Sequence, residues 1–445
     1  MTGEVPPVGS PELKWPATYY RSTLTRELQM RHERARVLQV VLTALLMVLI
    51  TVSVIHSPGT TDVLIWKRWM ANLDAFGLAA GFQANHADYP PYSSVILFGA
   101  NRIAGFFGVG AFGALKLAIL AFLILTSVLF WLWTRDIILT LVLHVSLLLN
   151  SVALGYIDIF VAPSLILALW ALQKRHWLAF TIFYSTACLT KWQPLIIAPF
   201  ILVYVLNIRD VAHWRNIAYQ SLMRQVLGPA LAILVLTGSV FGFIALAQSF
   251  ANASSHTSLS GNALNFNWIM THWLHVFFPE RFGGLVAGRA DLVYTRSPAL
   301  TLGPRLFFLV CYATTLLTFF RHKKGFEDLL YFSLTGYLAY FIFNTGVHEN
   351  HVFLVTILAA LLCWLNKEHA LLMAIVLLMS NLNMFIFYGI DGNGLMFDRV
   401  LADRVDIALV LAMFNVICFL ALGWLAILRG RTASGATSSL RENGA

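Results

Sequence analysis

The chain is 445 residues long, 59% hydrophobic and only 11% charged, with a mean hydropathy of +0.74. Ordinary soluble domains do not have that balance. The composition points to an all-α, polytopic helical membrane protein and leaves no room for a separate soluble catalytic domain. A net charge of +9 would suggest nucleic acid in a soluble protein, but in a membrane chain it reflects basic cytoplasmic loops facing anionic lipid, so no nucleic-acid partner is expected.

Residues 1–36 are polar and basic (Lys14, Arg21, Arg26, Arg31, Arg34, Arg36), with prolines near the start, and read as a cytoplasmic segment with little fixed structure. Residues 37–55 form an apolar run long enough to span, with no small-residue cleavage signal behind it, and read as an uncleaved anchor. Residues 93–107 are apolar too, but short, and they carry Asn101 and Arg102. If that segment lies flat in the outer interface, the spans fall near 37–55, 115–133, 137–155, 159–172, 177–190, 194–207, 226–246, 300–320, 329–345, 352–365, 370–388 and 407–428. The cytoplasmic segments then hold 19 of the 30 lysines and arginines, whereas making 93–107 a span sends thirteen of those charges outside. The positive-inside rule favours the first arrangement: about twelve spans, both termini cytoplasmic, and an integral-membrane domain over 37–428. The spans 159–172, 177–190 and 194–207 are short, which suggests local thinning or a cavity cut into the bundle. The tail 429–445 is basic, then rich in Ser, Gly and Ala, and reads as disordered. Cys188, Cys311, Cys363 and Cys418 lie far apart inside apolar runs, as reduced core residues would, without disulfide or metal spacing.

This topology sorts the unusual residues to one side. The inner loops are plain basic connectors, while the outer segments 56–114 and 247–299 and the outer turns hold the rest. The stretch 61–92 is crowded with groups that lipid excludes: Asp62, Lys67, Arg68, Asp74, His86 and Asp88, with Trp66 and Trp69 one helical turn apart. It closes on Asp88-Tyr89-Pro90-Pro91, where two prolines force an extended elbow. Asp62 has two readings, a chemical group or a simple cap on an interfacial helix. Asp158 stands where a span turns back; a carboxylate at that depth needs a partner or water. Lys191, just before Gln193 and Pro194, falls on the outer side against the charge rule. It needs an anion, either a carboxylate such as Asp158 or a phosphate.

In the second outer segment, Asn262, Asn265 and Trp268 recur at three-residue spacing, giving a helix a stripe of amides beside an indole, a combination that suits sugar hydroxyls and apolar sugar faces. Arg281, Arg289 and Arg296 follow, and one of them can reach a phosphate; Arg296 is taken as the candidate. The run His348-Glu349-Asn350-His351 has the wrong spacing for H-E-x-x-H and lacks an evident third ligand, so neither a metal nor another cofactor is expected.

Taken in order, Asp62, Asp88-Tyr89-Pro90-Pro91, Asp158, Lys191 with Gln193, and His348-Glu349 resemble the outer-face motifs of GT-C glycosyltransferases. The likeness is to the dolichyl-phosphate-glucose glucosyltransferases of N-glycan precursor assembly and to bacterial mannosyl- and glucosyltransferases that use polyprenyl-phosphate sugars. The resemblance implies a GT-C-like bundle in a cell membrane with its site facing the periplasm or exterior. Its donor would be a polyprenyl-phosphate-linked monosaccharide, and its acceptor a lipid-linked or glycan hydroxyl. It makes Asp62 the catalytic base and gives Lys191, His348 and an arginine to the donor phosphate. Trp66, Trp69, Asp88, Tyr89, Asp158, Gln193, Asn262, Asn265, Glu349 and His351 would hold substrate, with Trp66, Trp69 and the flat helix walling the lipid entrance. The first outer loop is short and the acid-histidine cluster of the eukaryotic enzymes is reduced to Tyr156-Ile157-Asp158, so mannose and glucose both stay open. The alternative is a transporter or flippase for a lipid-linked or anionic solute, which would place ionisable residues mid-span and show internal repeats.

The charge asymmetry makes the topology testable: reporters fused after Arg135, Lys174 and Lys323 are expected to read cytoplasmic, and those near His256 and Gly392 external. An external signal at Lys174 would turn 93–107 into a true span and put Asp158 on the wrong side.

Overall fold

The computed structural model describes residues 17–207, 219–322, 325–402 and 405–442. It is all-α, about 78% helical, and divides into two units, residues 1–49 and 50–445. The described part of the first unit is helical: α1 runs Ala17–Val54 and carries on into the second unit. Helix therefore begins inside the basic segment expected to lack structure. Beyond Pro16 that segment holds Leu, Glu, Gln, Met and Arg, all good helix formers, and neither Gly nor Pro to stop them. Residues 1–16 lie outside the described chain.

The stretch 56–114, expected as the first outer segment, folds as α2 (Asp62–Phe76), α3 (Leu78–Asn85) and α4 (Pro91–Phe106). Helix α2 buries Val63, Trp66, Trp69, Met70 and Leu73, the three-and-four spacing of a single apolar stripe. Pro90 sits in extended conformation and Pro91 opens α4, so the double proline both ends the loop and starts a helix. Next come α5 (Ala111–Thr134), α6 (Ile137–Leu148), α7 (Ala162–Gln173), α8 (Trp177–Thr190), α9 (Ala198–Leu206) and the short α10 (Tyr219–Leu222). The expected span 226–246 is broken: α11 (Gly228–Phe241) stops at Gly242, whose φ of 92° no helix accepts, and α12 (Phe243–Ser254) starts afresh. After α13 (Phe266–Phe277) and α14 (Pro279–Phe282), the bundle closes with α15 (Pro298–Arg321), α16 (Phe326–Phe343), α17 (Phe353–Leu365), α18 (Ala370–Tyr388) and α19 (Ile407–Glu442). Helix α19 runs on through the stretch expected to be disordered, which has no proline to end it.

Helical segments lie in all twelve of the expected stretches. Among the described residues, six helices are long and apolar enough to cross a membrane: Met30–Val54, Ala111–Thr134, Gln220–Phe241, Pro298–Arg321, Ala370–Tyr388 and Ile407–Arg429. The short ones are eked out by 3₁₀ or π turns, as where Ile157–Val161 leads into α7 and Gln193–Ile197 into α9. The core is centred on α16 and α17, whose side chains are almost all buried, whereas α15 buries only Pro304, Thr315 and Phe319.

Polar groups bolt the segment 247–299 to this core. The two-residue strand β1 (Ser260–Gly261) pairs in parallel with β2 (Val347–His348). Gly346 N donates to Ser258 O at 3.0 Å. Gly261 is required there, since a Cβ would stand 2.4 Å from His348 Nδ1. Asn383, fully buried on α18, accepts from Leu264 N at 2.6 Å and donates to Glu349 O at 2.8 Å. Asn415 on α19 donates to Leu264 O at 2.7 Å. Where the chain leaves regular structure inside an apolar bundle, buried amides supply the bonds that water cannot.

Candidate functional site

The turn after α6 sets one wall. Gly155 takes φ 78°, and a Cβ there would stand 2.5 Å from Val63 Cγ2, so the turn against α2 closes only with glycine. The next residues send side chains to opposite partners. Tyr156 donates its hydroxyl to Glu349 Oε1 at 2.5 Å. Asp158, almost wholly buried, accepts from Tyr89 OH at 2.6 Å and from Lys191 Nζ in a buried ion pair. Lys191 occupies the extended C-cap of α8, where Pro194 prevents the helix from continuing. Its ammonium also lies 5.1 Å from the centre of the Tyr89 ring.

The second wall is the turn before α17. Glu349 Oε1 accepts from both Tyr156 and Tyr388, the latter at 3.0 Å, and Tyr388 in turn accepts from Asn262 Nδ2 at 3.2 Å. The next residue belongs to the other wall, for Asn350 Nδ2 donates to Tyr89 OH at 3.4 Å. His351 stacks on Tyr340 and meets its hydroxyl at 3.0 Å. Between these walls lies a cavity of about 650 Å³.

Its lining brings together Asp62, Trp66, Asp88, Tyr89, Lys191, Gln193, Asn262, His348, Glu349 and His351, residues spread over almost 300 positions of sequence. Four expected site residues stand elsewhere. Trp69 is buried behind Trp66, with ring centroids 4.8 Å apart. Both indoles are therefore part of the inner wall and do not form a lipid edge. Asp158 lies beneath the lining, under Lys191 and Tyr89. Asn265 is the N-cap of α13, accepting from Trp268 N at 2.9 Å and donating to Phe341 O at 3.1 Å. The expected stripe of amides does not form, because the helix begins only at Phe266 and Asn262 precedes it in a left-handed turn, φ 53°. Arg296 is exposed and outside the lining.

Asp62 is the first residue of α2, yet no side chain caps that helix, and among the described residues Asp62 has neither a hydrogen bond nor an ion-pair partner. Burial, then the charges of Asp158 and Asp88, push its pKa up to about 6 against the pull of Lys191. Burial likewise raises Asp88, opposed by His256, whose Nε2 is 3.7 Å from Asp88 Oδ2. The His348 imidazole is pushed down to about 4 by burial, with His256 and Lys191 adding to the shift. Its Nε2 is buried with no partner among the described residues, as are Trp66 Nε1, Gln193 Oε1 and Asn350 Oδ1 on the same cavity. Among the described residues, no three His, Cys, Asp or Glu side chains gather closely enough to hold a metal ion.

Sequence reasoning missed His256, Tyr340, Asn350 and Tyr388 as cavity residues. Compared with known proteins, the chain matches neither a family model nor a curated protein sequence.

The contacts give Lys191 a structural task that a phosphate ligand would not require. Lys191→Met leaves the Asp158 carboxylate buried without its cation and is expected to destabilise the purified protein by about 3–5 kcal/mol, read as a lowered melting point in detergent. An unchanged melting point together with a weakened donor interaction would return Lys191 to a direct phosphate role.

Proposed function

We propose that the chain is an inverting, membrane-integral glycosyltransferase that moves a hexose, mannose or glucose, from a polyprenyl-phosphate donor to a lipid-linked or glycan acceptor at the outer membrane face. The observation that carries this reading is Asp62: a carboxylate with no partner, its pKa near 6, on a cavity that also gathers unpaired indole, amide and imidazole groups. A general base needs an accessible carboxylate whose pKa lies close to the working pH. Carboxylates that only hold structure, such as Asp158 and Glu349, are bonded here to lysine or tyrosine.

In this reading Asp62 takes the proton of the acceptor hydroxyl while its oxygen attacks the anomeric carbon. The new glycosidic bond forms as the bond from that carbon to the phosphate oxygen breaks, and the electron pair leaves on the phosphate. Attack from the side opposite the phosphate inverts the centre. The leaving group is already a good one, so it needs charge stabilisation more than a proton. His348 Nε2 has no partner and, in the tautomer with its proton there, can donate to a phosphate oxygen. Trp66, Gln193 and Asn350 offer the donor and acceptors that sugar hydroxyls require. A GT-C-like bundle of twelve spans with both termini inside belongs to the same proposal. A transporter is the weaker reading, because the polar groups converge on one chamber rather than filing across the bundle.

Asp62→Asn keeps the shape and removes the base, so transfer should fall by about 10²–10⁴-fold with expression kept. Asp74→Asn is the control, because Asp74 meets Arg102, 3.3 Å away, and the amide of Asn101 at the surface, outside the chamber. Wild-type kcat/KM should rise about tenfold per pH unit up to about 6 and then level, since only the deprotonated carboxylate accepts a proton. An Asp62→Asn protein as active as wild type would remove the assignment.

Donor class is a separate test. The expected inner loops are short and carry no Gly-rich phosphate cradle, so the protein should use a polyprenyl-phosphate monosaccharide and ignore nucleotide sugars. Transfer from a nucleotide sugar in lipid-free detergent would overturn both the donor and its side of the membrane.

A further inference from the structure

The charges inside the chamber pose a problem for any phosphate. Asp62, Asp88 and Glu349 line it, and its lysine, Lys191, is held by Asp158. A phosphate brought deep into this space meets carboxylates first. A cation does stand at the edge. Arg305 is exposed on α15, in a helix long and apolar enough to span, where its neighbours Leu302, Leu306 and Leu309 are exposed too. Among the described residues no carboxylate pairs with it. An unpaired arginine on an apolar helix face is costly and calls for an anion.

The geometry ties this cation to the chamber. Arg305 Nε donates to Thr345 Oγ1 at 2.7 Å, and Thr345 is a buried residue of the chamber lining. That bond fixes the plane of the guanidinium and leaves its two terminal nitrogens, the fork that matches two oxygens of a phosphate. Leu302, Arg305, Leu306 and Leu309 follow at three-and-four spacing, so the fork stands on an apolar stripe of one helix face.

We infer that Arg305, oriented by Thr345, is the docking point for the phosphate of a lipid-borne substrate that enters the chamber sideways over α15. The headgroup faces inward and the hydrocarbon tail lies along Leu302, Leu306 and Leu309. This rests on the lipid-phosphate donor proposed above and gives the donor's phosphate, at the chamber's edge, the free cation that the carboxylate-lined interior does not offer.

The test uses full-length protein in phosphatidylcholine nanodiscs with bare polyprenyl phosphate as the probe and no acceptor present. Arg305→Gln should weaken binding by about 10- to 100-fold, the loss typical of a hydrogen bond to a charged group, with an unchanged melting point. Arg305→Lys, which keeps the charge and loses the fork, should fall between. Phosphatidylglycerol at the same mole fraction should not compete. Equal competition by phosphatidylglycerol would make Arg305 a cation for ordinary headgroups and overturn the inference, as would unchanged binding by Arg305→Gln. Binding and turnover separate the two readings. Arg305-dependent binding with no transfer would keep this site and sink the transferase, whereas transfer with Arg305-independent binding would do the reverse.

Discussion

A carboxylate sealed inside an apolar bundle has to be neutralised where it stands, and the ion pair of Asp158 with Lys191 meets that demand. Much else hangs from it. Tyr89 adds a hydrogen bond to the same carboxylate and so fixes the Asp-Tyr-Pro-Pro elbow. Asn350 reaches Tyr89, its neighbour Glu349 holds Tyr156, and Tyr156 is two residues from Asp158. The contacts close into a ring joining the ends of α6, α8 and α16 to the stretch 61–92. Rings of this kind are all-or-nothing, because removing one member leaves the next buried and unsatisfied.

Against that fixed ring, Asp62 is the exception. It is close enough to Asp158 and Asp88 to feel their charge, but nothing among the described residues bonds it. Burial raises the proton affinity of Asp62, Asp88 and Glu349 alike. What differs is the partner, for Asp158 and Glu349 are bonded to phenols or an ammonium, Asp88 faces His256 at 3.7 Å, and Asp62 is left available. The distinction comes from the partners each side chain meets, since the carboxylate group is the same.

That difference also explains what was legible in the sequence. Asp62, Asp88, Lys191, His348 and Glu349 stand out because charged or titratable groups at the ends of apolar runs are expensive, so their presence signals a site. For Lys191 the sequence left two anions open, a carboxylate such as Asp158 or a phosphate, and the contacts give it the carboxylate. Tyr340 and Tyr388 were not legible, because a tyrosine at the end of a membrane helix looks like an ordinary interfacial belt residue. Asn265 misled for a related reason: an amide suits a sugar and a helix cap equally, and only the start of α13 at Phe266 decides. The segments were visible from hydropathy, but the break at Gly242 was not, since glycine is common in membrane helices.

The parallel pairing of Ser260–Gly261 with Val347–His348 carries a consequence of its own. Two stretches almost ninety residues apart share one backbone ladder, with Asn383 and Asn415 clamping Leu264 beside it. The segment 247–299 is therefore not a detachable module. Its sequence can drift only in step with the turn at 344–351, and a graft of residues 247–299 from a related protein would need that turn and both asparagines to travel with it.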